Sequence, residues 1–529
     1  MDDKDENFLI NDVNSSISGL ASKKQLPWKK LIIIGSIILL VLILVIILIL
    51  VINKSSNENS EDMPDIGIIS CMYDISSERK ETKILGDDFN KKSNFDIYIN
   101  GKRKKYSKKY EFTSFGLTKI EIKLYENINM DNMFKGVNSL ISVEMKSIND
   151  TKIISMISAF ENCVNLETFS IYGFNTNEIK SLKKLFYNTK LNKLNLTNFN
   201  INNVKDISYM FASTSLTKID FLNLNTENVI DMSYLFCNCS SMNILDLSNL
   251  KTTKTQNMSH MFEGLISITK LDLSNFETNL VKDMSYMFKE CNLLSKIELN
   301  NFNTELVEDM SHMFEDCSRL TNLNLENFNT KKVKNMSHLF KYCSSLSSLN
   351  IYNFDINEVE DMSEMFYSCY KLKQLDLSNF KNNKNIKNIA YMFYDCNLLQ
   401  NITLPYFDTT NVYNMSHLFE DCISLIHLDI PLFKTDNVID MSGMFLDCSL
   451  LEKIDLSNYN TNKVKNMSQM FEGCFSVSSL DFSNFNTENV ESMSNMFKST
   501  YSLFSLKLSS FNTKNVKDMS SMFQYCTYI

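Results

Sequence analysis

The sequence predicts an α/β repeat solenoid that follows a single transmembrane helix. The first observation is a phenylalanine that returns about every 26 residues from Phe134 to Phe523. Of the fifteen intervals in this series, twelve are 26 residues long, two are 25 and one is 27. The second observation is a long apolar run ahead of the repeats. A fixed period of this length is typical of stacked coils, because each coil presents the same side chains to its neighbours.

The N-terminal elements come first in the chain. Residues 1–30 are acidic at their start and contain many Asn and Ser residues, which predicts a disordered cytosolic tail. The 22 residues 31–52 are apolar except for Gly35 and Ser36. As a helix, this run would be about 33 Å long, which is enough to cross a bilayer.

The residues that flank the apolar run predict its orientation. Trp28, Lys29 and Lys30 lie directly before the run, where interfacial aromatic and basic side chains belong, whereas only Lys54 follows closely. The positive-inside rule therefore predicts a signal-anchor in the lipid bilayer at the cell membrane. The chain would be single-pass and type II, with a cytosolic N-terminus and extracellular repeats. A cleavable signal peptide is the alternative, but the run is long for one and no A-x-A site follows it.

A polar tether, residues 53–65, precedes a non-repeat module at residues 66–130. Within the module, Phe95–Ile99 reads as a strand that enters a tight turn at Asn-Gly, and the alternating segment Ile120–Leu124 reads as another strand. We expect this β-rich module to cap the first coil. The basic run after the turn, residues 102–109, is either a solvated hairpin or a site for anionic glycans or a membrane surface.

The repeats fill residues 131–529 and make about 16 coils. In one unit, apolar residues at steps of 3, 3, 1 and 3 run from Val333 to Cys343, which predicts one helical turn. The pattern L-x-x-L-x-L-x-x-F then runs from Leu346 to Phe354 and predicts one short strand in the leucine-rich-repeat manner. A single coil buries too few side chains to fold alone, so stability must be cooperative along the array.

Two segments carry a family resemblance: Asp361-Met362-Ser363-Glu364-Met365-Phe366 and Leu375-Asp376-Leu377-Ser378-Asn379-Phe380. They fit the 26-residue repeat of the BspA-like leucine-rich-repeat surface proteins, and the resemblance covers roughly residues 131–529. It implies a surface-displayed solenoid, with adhesion or host-matrix binding known for some relatives. The coils around Phe160 and Phe186 depart from the pattern and resemble a capping end.

Eleven of the 13 cysteines share one column, three residues after the repeat phenylalanine. Small or apolar residues replace them in the other coils, which favours a buried packing slot for reduced thiols. Disulfides between successive coils and a metal site are the alternatives. Cys71 lies outside the column and is predicted to be the most exposed thiol. His260, His312, His338 and His417 share a variable position that we expect to be exposed and unconstrained.

A column of acids lies in the middle of the predicted strands and is our candidate ligand face. Strand alternation turns these side chains outward, and adjacent acids about 4.8 Å apart would repel each other. A calcium-assisted ligand face is one interpretation, and a solvated face that keeps the sheet soluble is the other. The candidate residues are Asp246, Asp272, Asp376, Asp429, Asp455 and Asp481.

No catalytic motif occurs in the chain, and the net charge of −9 argues against a nucleic-acid partner. The sequence therefore predicts neither an enzyme nor a bound cofactor or metal. It predicts a membrane-anchored, surface-displayed repeat protein that binds extracellular proteins or glycans, for adhesion or for host or cell interaction. A structural coat without a specific ligand is the alternative. A strand near Leu506 and Leu508 would present an unpaired edge for weak self-association.

Overall fold

The protein is described by a computed structural model and divides into two compact units, Met1–Pro64 and Asp65–Ile529. In the first unit, residues 41–43 and 45 are helical. The second unit is a β-solenoid of about 14 turns with almost no helix. The structure describes residues 41–43, 45, 64–76, 81–196, 199–219, 221, 224–381, 383–430 and 433–529.

Short strands are the regular elements of the second unit. Those up to the first coils are β1 Gly67–Ile75, β2 Glu81–Lys83, β3 Phe95–Ile99, β4 Lys102–Lys104, β5 Lys109–Glu111, β6 Gly116–Leu124, β7 Ile128–Asn129, β8 Leu140–Ser147, β9 Ile153–Ser155, β10 Thr168–Tyr172 and β11 Lys193–Asn195. The later ones are β12 Lys270–Asp272, β13 Lys296–Glu298, β14 Gln374–Asp376, β15 Asn401–Thr403, β16 His427–Asp429, β17 Ser479–Asp481 and β18 Ser505–Lys507.

One seven-stranded sheet has the order β11-β10-β8-β1-β6-β3-β4. Its β8 strand pairs antiparallel with β1 on one edge and parallel with β10 on the other. The predicted strands at residues 95–99 and 120–124 are confirmed as β3 and part of β6. The turn between β3 and β4 has positive φ at Asn100 and Gly101, as a tight hairpin requires.

Later coils pair their strands in parallel, as the leucine-rich pattern predicts. Leu271 of β12 lies opposite Ile297 of β13, and Leu480 of β17 lies opposite Leu506 of β18. The leucines point inward, where they pack on a column of stacked phenylalanine rings. The Phe366 ring, for example, is 5.7 Å from Phe340 and 5.5 Å from Phe393, between ring centroids.

The predicted helical turn in each coil is wrong. The segment from the Asx residue to the Cys, such as Asp309–Cys317, is a run of tight turns, and we call it the turn ladder. Alternate N–H groups in it donate to the next coil: His312 N–H to Ser337 O at 3.0 Å and Phe314 N–H to Leu339 O at 3.0 Å. These donors serve the stack, as in a sheet, and are not available for bonds inside a helix.

Two residues in each turn ladder have positive φ, for example His312 at 58° and Asp316 at 55°. A left-handed residue cannot continue an α-helix, so the ladder must turn at both points. Within the coil, Met313 N–H donates to Met310 O and Cys317 N–H donates to Phe314 O. Consecutive three-residue turns therefore produce the spacing of 3 that resembled a helical face.

The predicted transmembrane signal-anchor, and with it the membrane localisation, is also corrected. Among the residues that the structure describes, no helix has the length and apolar character needed to cross a bilayer. Of the predicted span 31–52, the described part is the short helical piece at 41–43 and 45. The rest of the span, and the flanking residues Trp28, Lys29 and Lys30, lie outside the described residues.

A buried threonine column connects the coils at another corner. Thr304 Oγ1 donates to Asn329 O at 2.9 Å and accepts from Asn329 N–H at 2.7 Å. The same pair of bonds joins Thr330 to Asp355 in the next coil. Each hydroxyl thus satisfies both backbone groups of one residue in the following coil, and this arrangement fixes the register of the stack.

Candidate binding faces

The five strand-face acids whose side chains the structure describes are exposed, as predicted, but each is committed to a local contact. In each of Asp246, Asp272, Asp376, Asp455 and Asp481, Oδ1 accepts the N–H of the serine two residues later, at 2.9–3.0 Å. Asp429 ends β16, and its side chain lies outside the described residues.

These contacts lower the pKa of the acids. The backbone N–H of Ser248 is the main cause at Asp246. At Asp481 the Lys507 ammonium is the main cause, and it lowers the pKa to about 2 through a contact of 2.6 Å. The acids therefore act as turn caps at the end of the strand. Their use as a ligand face stays a prediction.

The outer surface of the turn ladder carries a continuous stack of rings. Its members come from successive coils and occupy the position between Met-Ser or Ile-Ser and Met-Phe or Leu-Phe. Neighbouring ring centroids are 4.0–4.3 Å apart, with planes within 13° of parallel. We call this stack the ring ladder, and its members are Tyr209, Tyr234, His260, Tyr286, His312 and His338.

The expectation of exposed, unconstrained histidines is therefore wrong. The side chains of these histidines are only 17–21% exposed. Neighbouring rings cover both faces of His260 and His312 and one face of His338. His312 Nδ1 lies 2.5 Å from Glu315 Oε2. One donor atom each from His312, Glu315 and His338 fits within 4.8 Å, which is close enough to share a metal ion.

A second surface feature lies where the turn ladder leads into the strand. Six consecutive coils each place one large apolar side chain there, at the first or second position after the inward-pointing Cys or Thr, and each is 40–48% exposed. Tight turns such as Phe475 N–H to Gly473 O push these side chains outward. We call this set the apolar ridge: Tyr370, Leu398, Ile423, Leu450, Phe475 and Tyr501.

A column of carboxylates runs beside the ridge. Its residues precede the buried Cys in each coil, whereas the ridge residues follow it. Asp395, Asp421 and Asp447 each precede the buried Cys of their coil and are in register, since Asp421 N–H donates to Leu446 O and Asp447 N–H to Glu472 O. Burial is the main cause that raises the pKa of Asp421 to about 6, and the charges of Glu420, Asp447 and Asp395 add to it. Burial likewise raises the pKa of Asp447. This column holds like charges that a cationic partner would relieve.

All thirteen cysteines are free thiols, and the packing-slot interpretation of the column is confirmed by burial. Each column thiol donates to the carbonyl of the repeat phenylalanine in the preceding coil, for example Cys317 Sγ to Phe288 O at 3.2 Å. Burial raises the pKa of Cys317 well above its usual range, so the thiol stays protonated. Cys71 is not the exposed thiol that we predicted, because it lies in the core of β1.

Comparison with known proteins places the repeats in one family. The family described as "Mycoplasma protein of unknown function, DUF285" matches residues 119–222, 214–323, 290–404, 387–502 and 455–529. No curated protein matches the chain.

Two solved structures resemble it distantly. The first is from the Toll–Spatzle complex of Drosophila, with 16% identity and a TM-score of 0.24, over 69% of this chain and 47% of that one. The second is from the TLR13–ssRNA13 complex, with 14% identity and a TM-score of 0.18, over 73% and 70% of the two chains. The chain thus spans about half the length of the Toll chain. The family match extends over most of the sequence, and the chain belongs to the DUF285 family.

Proposed function

We propose that this protein is a non-catalytic scaffold that binds a protein partner, and that the apolar ridge is the contact surface. The ridge itself is the observation that supports the proposal. It offers one large apolar side chain per coil over six coils, from Tyr370 to Tyr501. Contiguous exposed apolar surface rimmed by polar groups is typical of interaction sites.

The charges beside the ridge indicate which partner fits. Asp421 and Asp447 lie next to it, whereas Glu420 and Glu472 in the neighbouring column already contact His417 and Lys498. A partner surface that carries Lys or Arg among apolar residues would complement both features. A neutral glycan has no positive charge to pair with these carboxylates.

The sequence resemblance to BspA-like surface proteins adds support, since adhesion or host-matrix binding is known for some of those relatives. The finer form of the proposal is therefore adhesion to a partner protein whose surface carries basic and apolar residues. A coat made of laterally packed copies is the second candidate, because the same ridge could contact another copy of the chain.

The test uses the full chain and short synthetic peptides in which Lys and Arg alternate with Leu, Ile and Phe. Matched peptides carry Glu in place of the basic residues, and a glycan array supplies the third probe. We expect the basic peptides to bind and the acidic ones to fail. Binding should strengthen as the pH rises from below to above about 6, where Asp421 becomes ionised, and should weaken with salt.

The variants Ile423→Ser and Phe475→Ser remove the ridge without disturbing the coil, because Ser318 and Ser344 occupy the corresponding position in two other coils. Tyr352→Ser is the control, since Tyr352 is 71% exposed but lies off the ridge. Equal peptide affinity in all variants would contradict the proposal. Glycan binding alone would favour the glycan hypothesis, and self-association that the ridge variants abolish would favour the coat.

A further inference from the structure

The turn ladders of two neighbouring coils bring together His312, Glu315 and His338. One donor atom from each residue lies within 4.8 Å of the other two. The imidazole rings are stacked with centroids 4.2 Å apart and planes 11° from parallel. Glu315 Oε2 contacts His312 Nδ1 at 2.5 Å.

The backbone holds these side chains in place without help from a ligand. Both histidines have φ of 58°, and His312 N–H donates to Ser337 O across the coil boundary. Tyr286 stacks on the other face of His312 at 4.2 Å. The stack holds the two ring planes 11° from parallel, so one imidazole must rotate out of it before both rings can direct a nitrogen at a single ion.

One nitrogen of the cluster has no hydrogen-bond partner. His338 Nδ1 is buried, and the described structure offers it no hydrogen bond. The Glu364 carboxylate lies 3.4 Å away but pairs with the Lys341 ammonium. A buried nitrogen without a partner is uncommon in a folded protein, and a bound ion would satisfy it.

We propose that His312, Glu315 and His338 bind one divalent transition-metal ion of the zinc class. Two imidazole nitrogens and one carboxylate oxygen are a donor set that zinc prefers, and three protein donors leave one position open. Donors around a tetrahedral zinc ion lie roughly 3.4 Å apart. The three donor atoms lie within 4.8 Å of one another, so rotation of one imidazole and lengthening of the His312–Glu315 contact would bring them into this range.

The site occurs at one place in the array because of the order of residues along the ring ladder. His260 and Glu263 form a similar pair, but the next ladder residue is Tyr286. His417 and Glu420 form another, but Gly443 follows in that column. Among the described coils, His312 and His338 are the adjacent histidines. A bound ion would join their two coils.

The test is a titration of the metal-free full chain with Co²⁺, followed by displacement with Zn²⁺. We expect one equivalent of Co²⁺ to give visible d–d bands without the near-ultraviolet charge-transfer band of thiolate ligation. His312→Tyr and His338→Tyr preserve the ring stack, since tyrosine occupies this column elsewhere, and should weaken binding more than roughly tenfold. His260→Tyr is the matched control and should bind as the wild type does.

Thermal unfolding supplies an independent readout. Zn²⁺ should raise the Tm of the wild type and of His260→Tyr but not that of His338→Tyr. Glu315→Gln keeps the size of the side chain and tests the carboxylate if a tyrosine variant misfolds. The proposal is overturned if the wild type binds no Co²⁺, if a thiolate band dominates, or if the His338→Tyr and Glu315→Gln variants bind as tightly as the wild type.

Discussion

The threonine column shows how one side chain can fix the register of a stack. Thr304 and its equivalents are fully buried and use the hydroxyl as both donor and acceptor toward the next coil. Asn383 makes the same two contacts with its amide, donating to Asp408 O and accepting from Asp408 N–H. Ile201 and Ile356 occupy the position in two separate coils, so an isolated coil without the bonds is tolerated.

Replacing Thr304 with valine should therefore destabilise the protein measurably. The change keeps the shape but removes the partner of the N–H and C=O of Asn329, which are part-buried, at a cost of up to about 1–3 kcal/mol each. Thr304→Asn is the control, since Asn383 shows that an amide can serve. Urea denaturation measures both variants. A valine variant as stable as the wild type would show that water reaches these groups.

At the scale of the element, the turn ladder explains which residues its columns accept. Every described coil places a left-handed residue between Met-Ser or its equivalent and the phenylalanine, and a second one before the Cys. Asn, Asp, Ser, His, Tyr, Glu, Gln, Lys and Gly occur there, and no Val, Ile or Thr does. Branching at Cβ makes the left-handed region costly, so the backbone selects against these residues.

Gln469 tests this selection without disturbing the ring ladder. Its φ is 60°, and its side chain contacts Glu472 at the surface. Gln469→Val should destabilise the protein by about 1–2 kcal/mol through backbone strain. Gln469→Gly should be near neutral, because Gly443 adopts the same conformation at that position in the preceding coil. Thermal unfolding compares the two variants, and equal losses would attribute the effect to the Glu472 contact instead.

The sequence could predict the solenoid, its period, the short strands and the buried cysteines, because each depends on which side chains point inward. It could not separate a helical turn from the turn ladder. Met310, Met313 and Cys317 recur at intervals of three or four in either structure, and the difference lies in φ. The ring ladder could have been found, since aromatic residues or histidine fill one column in six successive coils. Their stacking follows from a coil spacing near 4.8 Å.

At the scale of the second unit, one sheet spans two differently built segments. β1 pairs with β8, and β8 in turn pairs with β10 and so begins the parallel stack. We propose on this basis that residues 66–130 cap the array. Ile69 of β1 is fully buried and lies opposite Ile122 of β6 and Met145 of β8.

Ile69→Asp should consequently destabilise far more than its own module. A charge buried without a partner costs at least about 4 kcal/mol, and loss of β1 would expose the edge of β8. We expect the coils after this module to unfold at a lower Tm. Hydrogen exchange in β8 and β10 measures this effect. Ile244→Asp, at a position 64% exposed, should change little. Unchanged protection in β8 and β10 would mean that the coils do not need this cap.

The uniform bridging between coils has a consequence for how such a gene can change. Adjacent coils meet through the same backbone bonds wherever they lie in the array, as Asp283, Asp309 and Asn335 do in their successive bridges. Unequal recombination that adds or removes one whole repeat would therefore join two compatible surfaces. The array could lengthen or shorten in steps of about 4.8 Å. The length of the repeat array could then change without a new fold having to be selected.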